Sequence, residues 1–373
     1  MKLRLDPDRT YAIALEGGGA RGAYQIGAWR ALEEAGIRYN AVSGTSVGAL
    51  NGAFMAMRDL PRAEKIWKEI RYSHVMDVDD ATMRRIIRMD YRNFEEFRSA
   101  MKAIRSVLQE GGLDSDPLRQ MLEQNLDCDR LRSSGVAFFL TAYDLSDFKA
   151  LELDAAKLTD EQLKDMLMAS SNFPAFKQER ISGKLYADGG LHDVVPISAL
   201  LRHGCRDIIV LRLYGLGFEK RVKIPADVTV TTIAPEESLG NMLDFSQAQS
   251  NLNMTQGYFD AQRVLYGLYG KTYYLERTCT EEEGYQILAA LIRKKHPALS
   301  LRALHEEQLS DLGSLLRCKG DYYDLLIAFA ERAAQALGLY PYRVRTEREL
   351  LGEIQAAFLQ PVRRRRDKIF SYL

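Results

Sequence analysis

The stretch that decides the fold reads Asn40-Ala41-Val42-Ser43-Gly44-Thr45-Ser46-Val47-Gly48-Ala49-Leu50. Within it lies a G-x-S-x-G pattern, which forms a nucleophile elbow when a strand precedes it and a helix follows. Residues 39–43 are partly apolar, and residues 47–58 are rich in Ala, Leu and Met, which favour helix. We predict that Ser46 is a strained, exposed nucleophile at a helix start. An ordinary glycine-rich turn has the same local pattern.

A glycine-rich loop precedes this stretch. The apolar residues 11–15 predict a buried strand, and the next residues, here called the glycine loop, read Glu16-Gly17-Gly18-Gly19-Ala20-Arg21-Gly22. A helix is predicted from about residue 22 to residue 35. Consecutive backbone N–H groups before a helix bind anions, so we predict an oxyanion hole around Gly18, Gly19 and Ala20. Arg21 is either catalytic or a brace, and pairing with a carboxylate is favoured because the donors must be rigid.

The glycine loop permits a second interpretation. Gly17-x-Gly19-x-x-Gly22 also matches the dinucleotide fingerprint G-x-G-x-x-G. That fingerprint needs an acidic residue roughly 20 positions later, at the end of the second strand. Here the second strand runs into the serine motif, and the nearest polar residue, Asn40, is not acidic. The sequence therefore favours the oxyanion hole over a nucleotide site.

A third motif follows a short predicted strand at 184–187 and reads Asp188-Gly189-Gly190. Alone it would indicate a hairpin turn. Together, and in this order, the three motifs resemble the patatin-like phospholipase family, whose hallmarks are a G-G-G-x-R-G loop, a G-x-S-x-G serine and a D-G-G/A aspartate. All three are present unaltered. The resemblance is firm over roughly 11–205 and fades after that.

The resemblance implies a serine acyl hydrolase that acts on phospholipids or lysophospholipids and needs no metal or cofactor. It makes Ser46 the nucleophile and Asp188 the proton acceptor, without a histidine. The implied supporting residues are Gly17, Gly18, Gly19, Ala20, Arg21 and Gly22 in the oxyanion loop, Gly44, Thr45, Val47 and Gly48 in the elbow, and Gly189 and Gly190 beside the aspartate. A carboxylate with a reference pKa of about 3.9 is a weak base in water, so we expect a desolvated site. His192 is the histidine nearest to a motif and an alternative assistant.

Alternating strand and helix patterns predict the architecture. They imply a mostly parallel central sheet with helices on both faces and the site at the carboxyl ends of its strands, and the resemblance implies that this is a three-layer α/β/α patatin-like fold. The composition changes after about residue 273. We therefore expect a patatin-like hydrolase domain at 1–275 and a helical C-terminal region at 276–373, with helices at 285–295, 321–337 and 347–359.

The bulk composition excludes several classes of protein. Lys plus Arg and Asp plus Glu number 51 each, so no global field favours nucleic acid. Four cysteines without C-x-x-C spacing predict reduced thiols rather than a zinc site. Residues 1–10 lack the apolar region of a signal peptide, and no apolar stretch is long enough to cross a bilayer. We expect a cytoplasmic protein that meets its lipid by peripheral membrane contact.

Two further features bear on lipid access and control. Methionines in the charged helical stretch at 61–127 fit either a flexible cap over the serine or ordinary helix cores, and they are Met76, Met83, Met89, Met101 and Met121. The basic and then aromatic end at 363–373 would bind anionic lipid or remain a solvated tail. A non-catalytic or ligand-gated regulatory patatin-like protein is the main alternative, and a dinucleotide-binding oxidoreductase is the third hypothesis. No catalytic pattern occurs in 276–373, which is the obvious place for such control. The protein partner that would gate it is not identified by any pattern.

Overall fold

The computed structural model describes residues 1–88, 111–173, 176–177, 180–359 and 369. These residues form two compact units, one of residues 5–265 and one of residues 1–4 with 266–373. The predicted cap residues Met89 and Met101, and the predicted basic end at 363–373 apart from Ile369, lie outside the described residues. The division into a hydrolase domain at 1–275 and a helical region at 276–373 stays a prediction.

A central sheet, eight-stranded over the described residues, organises the first unit. Its strands are β1 (Thr10–Leu15), β2 (Arg38–Thr45), β3 (Ala137–Asp144), β4 (Lys149–Asp154), β5 (Arg180–Ile181), β6 (Lys184–Asp188), β7 (Asp207–Leu211) and β8 (Thr229–Ile233). The strand order is β5-β6-β3-β2-β1-β7-β8, and β4 also pairs with β3. Strands β1, β2, β3, β7 and β8 pair in parallel, whereas β4, β5 and β6 pair antiparallel. The predicted mostly parallel sheet is confirmed.

Helices connect these strands as the alternating pattern predicts. They are α1 (Ala23–Glu34), α2 (Val47–Ala56), α3 (Leu60–Glu69), α4 (Asp80–Arg88), α5 (Asp116–Asn125), α6 (Cys128–Ser133), α7 (Asp160–Ser170), α8 (Ile197–Arg202) and α9 (Gln247–Tyr266). Side-chain caps set the starts of α3, α6 and α7. The Thr159 hydroxyl and the Gln162 side chain form a capping box at the start of α7. Asp59 caps α3, which has a proline in its first turn.

Both faces of the sheet are covered, which produces the three layers. Successive side chains of a strand point to opposite faces, so neighbouring residues of β1 serve different layers. Leu15, Val42 and Phe138 pack against α2 around Gly52. On the opposite face, a buried cluster joins Ala12, Ala14, Ala41 and Val210 to Leu200 of α8. The parallel strands β1 and β2 end at the same edge, where the glycine loop and Ser46 follow.

The second unit is mainly helical over the described residues. It contains α10 (Glu281–Lys295), α11 (Leu301–Ala303), a π-helical segment (Leu304–Leu309), α12 (Ser310–Leu316), α13 (Tyr322–Ala336) and α14 (Glu347–Leu359). The three helices predicted there are confirmed. Two strands that the sequence did not predict, β9 (Tyr274–Glu276) and β10 (Val344–Thr346), pair in parallel. Three residues are too few for a period-2 pattern to emerge.

Across the described ranges, no helix combines the length and the apolar character needed to span a bilayer.

Candidate active site

Ser46 occupies a sharp turn between β2 and α2. Its backbone has φ 55° and ψ −129°, a left-handed conformation that is costly for a residue with a Cβ. A Cβ at Gly44 would lie 2.1 Å from the carbonyl oxygen of Gly48, and one at Gly48 would lie 2.4 Å from that of Leu15. The turn is thus compatible only with glycine at both places. The Ser46 N–H donates to Ser170 Oγ at 2.9 Å, which helps to hold the turn.

Asp188 lies at the carboxyl end of β6, beside Ala142 of β3. Ser46 lines the same cavity as Asp188, and its hydroxyl interacts favourably with the ionised carboxylate, which lowers the pKa of Asp188. The Gly190 N–H also donates to the carboxylate, at 2.8 Å. Although Asp188 is only half-buried because it faces an open cavity, the surrounding protein desolvates it and raises its pKa to about 6. The interaction with the Ser46 hydroxyl and the hydrogen bond from Gly190 partly oppose this rise. The raised pKa makes the carboxylate a stronger proton acceptor than an aspartate in water.

The glycine loop lies directly over Ser46. A Cβ placed on Gly17 would be 3.2 Å from the Ser46 Cβ, so the two backbones nearly touch. Gly18 and Gly19 line the same cavity as the Ser46 side chain. Within the described part of the chain, no hydrogen-bond acceptor is found for the backbone N–H groups of Gly18 and Gly19. These two donors are therefore available to an anion beside Ser46.

The other N–H groups of the loop are already engaged. The Gly17 N–H donates to the Val194 carbonyl at 3.1 Å, and the Ala20 N–H donates to the Met242 carbonyl at 2.7 Å. Ala20 was predicted as an oxyanion donor, and its bond to Met242 removes it from the candidates. Gly19 has φ 57°, so the loop needs glycine at the position where its free N–H is presented.

An apolar cavity of about 360 Å³ opens beside Ser46 and Asp188. Helices α2, α3 and α5 contribute Leu50, Phe54, Trp67, Leu118 and Met121 to its walls, and loop residues such as Phe245 contribute the rest. Of the predicted cap methionines within the described residues, Met121 lines this cavity, whereas Met76 and Met83 are buried. The cavity combines an apolar chamber with a few convergent polar groups, as ligand sites in proteins do.

The sequence profile described as patatin-like phospholipase matches residues 13–201, which include the glycine loop, Ser46 and Asp188. The chain belongs to the patatin-like phospholipase family. The matched residues are just over half of this patatin-like chain.

Curated relatives of the patatin-like chain match over shorter or weaker stretches. Lysophospholipase nte1 of Aspergillus terreus is 54% identical over 48 residues, 13% of this chain and 3% of that protein. The human patatin-like phospholipase domain-containing protein 6 is 53% identical over 47 residues, again 13% of this chain and 3% of the relative. The uncharacterized protein YjjU of Escherichia coli is 27% identical over 217 residues, 56% of this chain and 54% of YjjU. The chain thus spans about half of YjjU and a small part of the other two.

Among solved structures, VipD from Legionella pneumophila is similar with a TM-score of 0.40 and 12% identity. The match covers 95% of this chain and 89% of VipD.

Arg21 of the patatin-like chain braces a neighbouring loop. Its Nε donates to the Gly240 carbonyl at 2.9 Å and its Nη1 to the Tyr214 carbonyl at 2.7 Å. The sequence predicted a carboxylate as the partner, and the structure supplies carbonyl oxygens instead. Arg21 does not line the cavity, so its place in the structure is that of a brace.

Glu16 is the site residue whose importance the sequence analysis missed. Its carboxylate is 1% exposed and accepts N–H groups from Leu213 at 2.6 Å, Tyr214 at 3.1 Å and Gly215 at 3.1 Å. Arg212 Nε lies 3.0 Å from the same carboxylate. Burial raises the pKa of Glu16, while these donors and the Arg212 charge lower it. A glutamate directly between an apolar strand and a glycine-rich loop was the one available signal.

The geometry gives little support to a catalytic role for His192, to a dinucleotide site or to a metal site. His192 is not among the residues that line the cavity, and its backbone N–H donates to the Gly189 carbonyl at 3.0 Å. The strand β2 ends at Thr45 and enters the elbow, so it offers no acidic side chain to a ribose. Among the described residues, no group of three or more His, Cys, Asp or Glu side chains could hold a metal ion.

Proposed function

We propose that this patatin-like chain is a serine acyl hydrolase that cleaves fatty acyl esters of phospholipids or lysophospholipids through a Ser46–Asp188 dyad. The observation that carries the proposal is a single arrangement. Ser46 and Asp188 line one apolar cavity together with Gly18 and Gly19, whose backbone N–H groups have no acceptor within the described residues.

In the first half-reaction, Ser46 Oγ attacks the ester carbonyl carbon while its proton passes to the Asp188 carboxylate. The carbonyl oxygen becomes an oxyanion and accepts hydrogen bonds from the Gly18 and Gly19 N–H groups. When the intermediate collapses, the bond to the alcohol oxygen breaks and that oxygen takes the proton from Asp188. The acyl group remains esterified to Ser46.

In the second half-reaction, a water molecule attacks the acyl-enzyme carbonyl and Asp188 accepts its proton. The same two N–H groups stabilise the second oxyanion. Collapse breaks the bond to Ser46 Oγ, which recovers a proton from Asp188, and the fatty acid leaves. A base with a pKa of about 6 is mostly ionised at neutral pH and accepts a proton more readily than a normal aspartate.

The substrate class is proposed from the cavity and the family. The cavity walls are apolar along their length, which suits an acyl chain. Two of the relatives are a lysophospholipase and a phospholipase-domain protein by name, although the matches are short. Contact with the membrane is proposed to be peripheral, and a cytoplasmic location stays a prediction.

Labelling with a fluorophosphonate tests the nucleophile. Wild type and Ser133→Ala, which alters an exposed serine in α6, should be labelled, and Ser46→Ala should not. Peptide mapping should place the adduct on Ser46, and hydrolysis of a lysophospholipid should be lost in the same variant. Undiminished labelling or hydrolysis in Ser46→Ala would end the proposal. A folded wild type that resists labelling would instead favour the non-catalytic or ligand-gated regulatory protein.

A further inference from the structure

The loop between β7 and β8 presents large apolar side chains to water. Tyr214 is 58% exposed, Leu216 is 77% exposed and Phe218 is 64% exposed. Leu191, which follows the aspartate motif, is 55% exposed. Leu191 and Leu216 also line the cavity beside Ser46. The exposed apolar surface is therefore continuous with the interior of the candidate active site.

The apolar side chains of this loop are exposed although hydrogen bonds hold its backbone in place. The Phe218 N–H donates to the Gly190 carbonyl at 2.7 Å, and the Phe218 carbonyl accepts the Val194 N–H at 2.8 Å. Arg212 binds Glu219 through two hydrogen bonds, at 2.8 and 2.9 Å. A loose loop would fold its apolar side chains inward, because exposure of apolar surface is unfavourable. Here the backbone is held from several sides while the side chains point outward.

Tyr214 shows the same constraint most directly. Its φ is 48°, which is a rare conformation for a bulky residue. The Glu16 carboxylate accepts its N–H at 3.1 Å, and Arg21 donates to its carbonyl at 2.7 Å. Two side chains of the glycine loop thus hold the Tyr214 backbone in a strained conformation, while Tyr214 stays largely exposed and Arg212 lies over one face of its ring. Strain of this kind persists where the surroundings enforce it, and it is concentrated at functional positions.

Basic side chains follow the apolar ones in the sequence of the same loop. Arg221 and Lys223 are exposed. Neither makes an ion pair within the described residues. Lys220 Nζ lies 3.7 Å from Glu152, and Glu219 pairs with Arg212, which also contacts Glu16. Arg221 and Lys223 are thus the cations of this loop that remain available to anionic head groups, and basic side chains combined with aromatic and aliphatic ones bind the interface of anionic membranes.

We propose that Leu191, Tyr214, Leu216 and Phe218 form a membrane-insertion surface that, with Arg221 and Lys223, docks the mouth of the cavity onto an anionic lipid bilayer. This inference rests on the proposed function, because a lipid ester substrate must leave the bilayer to reach Ser46. A bilayer is favoured over a protein partner because the apolar surface leads into the cavity. An acyl chain can enter along it without crossing water.

Vesicle sedimentation tests the surface, with Ser46→Ala as the parent so that no lipid is consumed. The parent should bind phosphatidylcholine vesicles that contain phosphatidylglycerol. In that parent, Tyr214→Asn with Phe218→Ala should reduce the partition coefficient by at least about tenfold. Asparagine is chosen because it accepts a positive φ readily. Leu252→Ala, which truncates a 42% exposed leucine on α9, is the matched control and should bind as the parent does.

A second variant tests the charge. Arg221→Gln with Lys223→Gln should lower binding to the anionic vesicles about 30-fold, about fivefold for each charge lost. Binding to phosphatidylcholine alone should not change. This variant removes side chains with no partners in the described residues, so it remains informative if the apolar variant fails to fold.

The outcomes separate this inference from the proposed function. If the folded wild type hydrolyses a short water-soluble ester but the Ser46→Ala parent binds no vesicle, the insertion surface is wrong and the hydrolase stands. Parent-like binding by both variants would also overturn the surface. If both variants lose vesicle binding but the wild type hydrolyses no ester, the hydrolase is wrong and the insertion surface is supported.

Discussion

The Cα of Gly215 packs against the carbonyl oxygen of Gly17, so closely that a Cβ at residue 215 would lie 2.0 Å from that oxygen. The contact joins the loop between β7 and β8 to the glycine loop. Glu16 reinforces the junction, because its carboxylate accepts the Gly215 N–H at 3.1 Å. The positions of the free Gly18 and Gly19 N–H groups therefore depend on a loop almost two hundred residues further along the chain.

Gly215→Ala should damage turnover more than folding. The new methyl group must push the Gly17 carbonyl away, and the Gly18 and Gly19 N–H groups move with it. Loss of one such donor typically lowers kcat by about 10²–10³, so we expect a fall of that order. Steady-state hydrolysis of a soluble ester measures it, with circular dichroism to check the fold. Gly352→Ala is the control, because its Cβ would meet nothing within 4 Å, and wild-type kcat in a folded Gly215→Ala would contradict the prediction.

The pH dependence of ester hydrolysis should follow the ionisation of Asp188. Its burial raises the pKa to about 6, and the proposed base works only when ionised. Activity should therefore be absent at low pH, rise with a single inflection near pH 6, and level off above it. The profile of kcat/KM on a soluble ester gives the value for the free enzyme. An inflection near pH 4, the range of an aspartate in water, would mean that Asp188 is solvated or is not the base.

The local geometry around Ser46 could be predicted from the sequence because each part is encoded by adjacent residues. Gly44 and Gly48 signal the tight turn, and the apolar run at 11–15 signals the strand before the glycine loop. The alternation of strands and helices likewise predicted the parallel sheet. These features depend on backbone sterics and periodicity, which a single sequence records directly.

Features that depend on long-range contacts could not be predicted. The sequence predicted that the Ala20 N–H was available to an oxyanion, but in the fold it donates to the Met242 carbonyl. Arg21 was expected to pair with a carboxylate, but it donates hydrogen bonds to the carbonyls of Tyr214 and Gly240. Strands β9 and β10 are too short to leave a pattern. In each case the deciding partner lies far away in the sequence, and nothing local to the residue identifies it.

Glu16→Gln should destabilise the first unit and lower activity together. The carboxylate is an acceptor for three backbone N–H groups and faces Arg212, whereas a glutamine would turn an NH₂ group toward one of these donors. Removing one partner of a buried, hydrogen-bonded charge costs about 3–5 kcal/mol. Urea denaturation and soluble-ester kinetics measure the two effects. Glu306→Gln, at a 61% exposed side chain, should change neither, and a wild-type unfolding midpoint in Glu16→Gln would refute the bracing role.

Asp193→Asn should stabilise the protein at neutral pH. Asp193 is fully buried, and within the described residues its Oδ2 has no hydrogen-bond partner. Burial raises its pKa from 3.8 to about 6. Well below pH 3.8 the group is protonated in both the folded and the unfolded chain and costs nothing. As the pH rises from 3.8 to about 6, the unfolded chain ionises before the folded chain does, so stability is lost in that window and levels off above it.

The size of the effect follows from the same shift. A rise of that extent corresponds to a penalty of at most about 3 kcal/mol above pH 6, and an asparagine amide that also lacks a partner recovers only part of it. We therefore expect Asp193→Asn to raise the free energy of unfolding by about 1–3 kcal/mol at pH 7.5 and by no more than about 0.5 kcal/mol at pH 4. Urea denaturation at both pH values measures it, with the exposed Asp129→Asn as control. A gain that is equal at the two pH values would show that the buried charge is not its cause.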